Sequence, residues 1–152
     1  MEPHLLRSLS IDSASPGLVT ANLKIEGHHC NRLNILHGGV LACLVDTGGS
    51  LAVASRGLYS TGVSTDLSVT YLKSAGKIGD SVTCRFICDS LGKTLAYTRV
   101  EFMNEQGQMV ARGSHTKFIA IARTHEENCL EELKTDVKKQ ESGREGAWSI
   151  PA

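Results

Sequence analysis

Residues 39–56 read as a helix with no polar stripe. Leu41, Ala42, Cys43, Leu44, Val45, Leu51, Ala52, Val53 and Ala54 put apolar side chains on nearly every side. A helix without a polar face is expected to be buried all round. One carboxylate, Asp46, interrupts it near the middle. An ionised carboxylate is costly to bury unless it is paired or hydrogen-bonded, so Asp46 is the first candidate for chemistry. Gly48 and Gly49 follow. Each costs a helix about 1 kcal/mol relative to alanine, and their place in a buried helix points to another backbone or a ligand approaching closely.

Around this helix the hydrophobic period changes to two, the mark of strands with one buried face. Residues 18–26 alternate, with Val19, Ala21, Leu23 and Ile25 on one side. Residues 61–72 put Val63, Leu67, Val69 and Tyr71 together, with Ser64, Asp66, Ser68 and Thr70 opposite. Residues 81–88, 94–104 and 109–121 complete the set, linked by turns at 76–80, 91–93 and 105–107. Links this short favour antiparallel neighbours, hence a meander. An apolar stretch at 5–11 reads as a first strand, and Ser13-Ala14-Ser15-Pro16-Gly17 as a turn. The expected architecture is α+β: two strands, the helix, then four antiparallel strands, in one sheet wrapped around the long buried central helix. Residues 124–140 differ in kind, with Cys129, Leu130, Leu133 and Val137 forming a narrow apolar stripe among charges. They are expected to form an outer amphipathic helix, followed by a loose tail carrying Trp148. The domain division is thus 1–123 for the globular unit and 124–152 for the extension.

The chain has 152 residues and a formal net charge of zero, which argues against a general nucleic-acid binder. No apolar run is long enough to span a bilayer. The N-terminus lacks the basic start and apolar core of a signal peptide, and it is too acidic for a transit peptide. The five cysteines, Cys30, Cys43, Cys84, Cys88 and Cys129, form no C-x-x-C pair. They read as reduced thiols of an intracellular protein, in the cytoplasm or alternatively the mitochondrion. No His/Cys spacing resembles a metal site, and no metal or cofactor is expected.

Asn31, then Leu36-His37-Gly38-Gly39 and Leu44-Val45-Asp46, stand in order at the helix entrance. Downstream come Val63-Ser64, Val69-Thr70-Tyr71, Gly92-Lys93-Thr94-Leu95-Ala96 and Gly113-Ser114-His115-Thr116-Lys117. Together these pieces resemble the hotdog-fold acyl-CoA thioesterases, in the branch of the PaaI-type enzymes and thioesterase superfamily member 2. The resemblance covers residues 18–121 and leaves the C-terminal extension outside it.

The resemblance implies that Asp46 is the base that activates water, or the nucleophile that attacks the thioester. It implies that the Gly38 N–H polarises the thioester oxygen, as an exposed donor at a helix N-terminus is suited to do. His37 would help position that carbonyl, while Ser64 and Asn31 would orient water or hold substrate. The substrate would be an acyl-CoA. Tyr71-Leu72-Lys73-Ser74-Ala75-Gly76 and Ser90-Leu91-Gly92-Lys93-Thr94-Leu95 resemble the segments that hold its nucleotide and pantetheine, and Phe118 falls at a further contact. An alternative reading is a non-catalytic acyl-CoA-binding protein acting as sensor or scaffold. The retention of Asp46, Asn31 and Ser64 together favours the hydrolase, and signatures of a hotdog dehydratase are absent.

Helical rise adds a constraint that needs no family. Asp46 follows Gly38 by eight residues, about 12 Å along one helix at about 1.5 Å per residue. An aspartate side chain spans a few ångströms only. If both groups act on one carbonyl, they come from different subunits. The protein is therefore expected to be a homodimer at least, and by resemblance a homotetramer.

Overall fold

The computed structural model describes residues 2–129. A short helix α1 (Glu2–Leu5) precedes strands β1 (Leu9–Ser15) and β2 (Leu18–Lys24). The long helix α2 (Gly38–Ala54) follows, then β3 (Val63–Tyr71), β4 (Ser81–Leu91), β5 (Leu95–Met103) and β6 (Met109–Phe118). All six strands form one antiparallel sheet in the order β1-β2-β4-β5-β6-β3. The core lies between the concave face of this sheet and one side of α2, as expected from alternation. Val19, Ala21 and Leu23 of β2, Val82, Cys84 and Phe86 of β4, and Ala96, Val100 and Phe102 of β5 are all buried against Leu44, Val45, Ala52 and Val53 of the helix.

Five expectations need correction, four of them outside the helix. The first strand starts later than the apolar run suggested and runs through Ser15, so the turn is only Pro16-Gly17. Ser15 pairs with Leu18 across it, and Gly17 has φ 81°, the geometry of a type II turn with proline leading. The small residues Ser13-Ala14-Ser15 are strand, exposed on an outer hairpin. Secondly, β3 does not pair with β4 in a meander; it crosses to the far edge, beside β6. Thirdly, a bulge between Ser64 and Asp66 breaks its alternation. Ser64 lies opposite Lys117 and Leu67 opposite His115, so Ser64 and Leu67 share the concave side rather than facing apart. Fourthly, residues 122–124 form a 3-10 turn and 125–129 are not helical, so the outer helix does not begin at 124. The rest of that helix and Trp148 lie outside the described residues.

The helix is also not buried all round. Val40, Leu41, Leu44, Val45, Gly48, Gly49, Ala52 and Val53 are buried. Ala42, Cys43, Asp46, Thr47, Ser50 and Ala54 make a half-exposed stripe along the opposite side. One sheet covers one side of a cylinder; covering the other takes a second body. Gly48 and Gly49 do mark close approaches, but of side chains from the sheet. A Cβ on Gly48 would lie 2.2 Å from the Phe86 ring, and one on Gly49 would lie 2.7 Å from both His115 Nδ1 and Thr98 Oγ1. No described helix is long and apolar enough to cross a membrane.

Candidate active site

The sequence-marked residues fall into two groups on α2. The first is at its N-terminus. His37 is the N-cap, and its Nδ1 accepts the Gly39 N–H at 2.8 Å. This satisfies one of the orphan donors of the first turn. The Gly38 N–H makes no hydrogen bond among the described residues, which leaves a free donor at the positive end of the helix. Gly38 is also needed for packing: Tyr71 Oη donates to the Gly38 carbonyl at 2.9 Å, and a Cβ there would meet the Tyr71 ring at 3.0 Å. Asn31 closes the loop leading in. Its Oδ1 accepts the Leu33 N–H at 2.8 Å, which assigns the amide and leaves its nitrogen as the group able to donate outward.

The second group is at the middle of the helix. The Asp46 side chain is 50% exposed, on the open stripe. Its Oδ1 lies 3.6 Å from Nε2 of the fully buried His115, and the same nitrogen is 2.8 Å from Ser64 Oγ. Lys117, 3% exposed, donates through Nζ to Ser50 Oγ at 2.9 Å. Ser50 Oγ in turn donates to the Asp46 carbonyl at 3.1 Å, one helical turn back. Burial lowers the His115 imidazole below its ordinary range, and the Lys117 ammonium adds to that, while Asp46 opposes it. Burial likewise lowers the Lys117 ammonium, again opposed by Asp46.

His115, Lys117 and Ser50 carried no assigned role in the sequence reading. The available signal was parity. His115 and Lys117 occupy the same side of β6 as buried Ala111, where apolar residues belong, and polar residues in a core register are the informative exception.

The substrate segments separate in the same way. Tyr71 aligns through Ala111 with Phe102, seven residues along β5 from Leu95. At about 3.4 Å per residue the two segments are therefore about 24 Å apart, at opposite ends of the sheet. Residues 71–76 lie beside the Gly38 end. There Leu72 and Lys73 N–H groups both reach the Val110 carbonyl, and Ser74, Ala75 and Gly76 line a polar cavity of about 210 Å³ with Asp80 and Glu105. Ser90 and Leu91 end β4, and the turn closes through the Gly92 N–H to the Leu95 carbonyl at 2.9 Å, with Lys93 and Thr94 exposed. Phe118 pairs with Leu95 at that end, across from Val63. Among the described residues no three His, Cys, Asp or Glu side chains are placed to hold a metal ion.

The thioesterase superfamily profile matches residues 33–111, a span that contains His37, Gly38, Asp46 and Ser64 but neither Asn31 nor His115 and Lys117 of β6. A Schizosaccharomyces pombe relative is 45% identical over 130 residues, covering 86% of this chain and 81% of its own. Acyl-coenzyme A thioesterase 13 of Homo sapiens is 36% identical over 116 residues, covering 76% of this chain and 82% of its own. Among solved structures, thioesterase superfamily member 2 from Mus musculus superposes with a TM-score of 0.71 at 34% identity, covering 76% of this chain and 85% of that one. A thioesterase protein from Streptococcus pneumoniae, solved with coenzyme A, gives 0.69 at 31% identity, over 74% and 85% of the respective chains. With the six-stranded sheet curled on one long helix, these matches establish that the chain belongs to the thioesterase superfamily and has the hotdog fold.

Proposed function

We infer that this protein is an acyl-CoA thioesterase, which hydrolyses a thioester to the free carboxylic acid and coenzyme A. The enzyme class rests on the superfamily and on the acyl-coenzyme A thioesterase relatives. The observation that carries the mechanism is the Asp46 carboxylate, half exposed on the open stripe of α2 with His115 and Ser64 behind it. A carboxylate in that place acts on a thioester carbonyl either by activating a water or by direct attack. Ser64, which shares the His115 Nε2 neighbourhood with Asp46, is the hydroxyl that would orient that water. The oxygen that gains charge is received by the Gly38 N–H, a preformed donor of the kind worth about 10²–10³ in kcat.

The two groups belong to different subunits of a homodimer in this reading. The unbroken helix Gly38–Ala54 keeps them about 12 Å apart within one chain. The half-exposed stripe of α2 and the open edge of β3, exposed at eight of its nine positions, are the surfaces a second copy would cover. An antiparallel copy would also bring the 71–76 end of one chain to the 90–95 and Phe118 end of the other, assembling one coenzyme A site from both; a homotetramer doubles this unit. All of the residues named in this reading fall within 1–123.

The test is hydrolysis followed by release of free thiol from short, long and aromatic acyl-CoAs, with Asp46→Asn alongside. Wild type should turn over at least one, and Asp46→Asn should fold, bind coenzyme A and lose nearly all turnover. A wild-type protein that binds acyl-CoA without cleaving it would support the non-catalytic sensor instead.

A further inference from the structure

Lys117 is the least expected side chain in the molecule. It is 3% exposed, it faces α2 from β6, and its ammonium donates to Ser50 Oγ rather than to a carboxylate. No carboxylate oxygen lies within salt-bridge distance of it among the described residues. A buried ammonium with no carboxylate in contact is expensive; burial lowers its pKa and Asp46 offsets that only from a distance. The amine is two residues from His115 on the same side of β6, and Ser50 ties it to the helix turn that carries Asp46. Among the described residues the groups facing it are few. From α2 they are Asp46 and Ser50, from β3 Ser64, from β6 His115, and from β5 only Ala96 and Thr98, which do not titrate in this range.

Resting on the thioesterase reading above, we propose that Lys117 is a positioning residue. Together with the burial of the ring, its ammonium disfavours a second positive charge at His115, so the imidazole stays neutral, hydrogen-bonds to Ser64 and leaves the Asp46 carboxylate available to the thioester. The geometry contains the alternative it prevents. His115 Nε2 is already 3.6 Å from Asp46 Oδ1, and an imidazolium there would close on the carboxylate as an ion pair and neutralise the base. The lowered protonation of His115, caused by burial and then by Lys117, runs in the required direction. Two like charges on adjacent same-side positions of one strand disfavour each other. No bond forms or breaks at Lys117; it acts only through the charge state of its neighbour.

The test reads His115 directly. Imidazole nitrogen shifts are followed by NMR against pH in the full chain, and the His115 signal, one of six histidines, is assigned by its loss in His115→Gln. In wild type His115 should stay neutral to a pH below the ordinary imidazole range. Lys117→Met, which removes the charge but fills the space, should raise the midpoint by about half a unit or more. Lys117→Gln keeps a donor for Ser50 and removes only the charge; it should raise the midpoint equally, which separates charge from tether. In both variants the acid limb of kcat should move up with that midpoint, while KM for acyl-CoA stays within about twofold, because the amine touches no substrate. An ordinary His115 midpoint in wild type would overturn the proposal, whether or not either variant folds. So would a midpoint, or an acid limb, that the loss of charge leaves in place. Should wild type cleave no acyl-CoA, the hydrolase reading falls, and the His115 titration still decides the role of Lys117.

Discussion

His115 Nε2 stands between two oxygens, 2.8 Å from Ser64 Oγ and 3.6 Å from Asp46 Oδ1. The nearer contact is a hydrogen bond and the farther one is not. Ser64 therefore holds the imidazole off the carboxylate. The bulge in β3 makes this possible, because without the extra residue Ser64 would face the convex side.

Replacing Ser64 removes that restraint. Ser64→Ala should let His115 turn to Asp46, and kcat should fall by roughly ten- to a hundredfold, at or below the usual scale for a positioned acid–base group. KM should change little. The ring then exchanges one partner for another, so urea unfolding should show a loss of no more than about 0.5–1.5 kcal/mol, the net worth of one hydrogen bond. Unchanged kcat in a folded variant would remove Ser64 from the site.

The helix glycines give a test with a definite sign. In an open helix, Gly→Ala stabilises by about 1 kcal/mol. Here the added methyl meets Phe86 at 2.2 Å from Gly48, and His115 and Thr98 at 2.7 Å from Gly49. Overpacking of this kind costs about 1–3 kcal/mol, so both variants should be destabilised in thermal unfolding. Gly49→Ala should also lower kcat, since it pushes on His115. Gly48→Ala pushes on a core ring and should leave kcat nearer to wild type. Stabilisation by either alanine would mean that the helix stands farther from the sheet.

Stability should fall on the acid side for a reason local to His115. Its folded-state protonation is shifted down, by burial first and by Lys117 second. Below about pH 6.5 the unfolded imidazole binds a proton that the folded one refuses. The unfolded state then holds more protons, and unfolding free energy drops by up to about 1.4 kcal/mol per pH unit until the folded group also titrates. Urea midpoints between pH 7 and 5 should show this slope in wild type and a shallower one in His115→Gln. Equal slopes would mean that the ring is reached by solvent protons.

What the sequence disclosed follows from which interactions are local. The strand carrying Val82, Cys84 and Phe86 and the one carrying Ala96, Thr98 and Val100 were legible, because alternation is written in each segment alone. The position of β3 beside β6 was not. Pairing of Leu67 with His115 is a long-range choice that short links do not determine. The bulge at Thr65 has no glycine to announce it, so simple alternation puts Ser64 on the side opposite Leu67, where the fold does not. Asp46 was legible as the odd carboxylate on an apolar helix, but its half exposure was not, since apolarity cannot tell a face covered by the chain's own sheet from one left open. His115 and Lys117 were in plain sight at core parity. Two polar residues in a buried register went unread as a unit with Asp46 because the strand and the helix meet only in the fold.

The separation of Gly38 from Asp46 supports the most discriminating experiment. If the oxyanion donor and the carboxylate of one site come from different subunits, two inactive variants should rescue each other. Asp46→Asn removes the carboxylate's chemistry. Gly38→Pro deletes the N–H at the first helical position, where proline is best tolerated. Proline also adds a Cβ, which would meet the Tyr71 ring at 3.0 Å. Gly38→Ala adds the same carbon and keeps the N–H, so it should retain far more activity than the proline variant and serves as the control for that contact. Each inactive homodimer should be nearly dead. Refolded together with random pairing, about half of the dimers are mixed, and two-fold symmetry gives each of these one site with both lesions and one with neither. About a quarter of wild-type turnover should therefore return. A single-chain site predicts no recovery at all, because every chain then carries its own lesion. Verified mixed dimers that stay as inactive as their parents would thus show that Gly38 is not the donor for Asp46 across the interface.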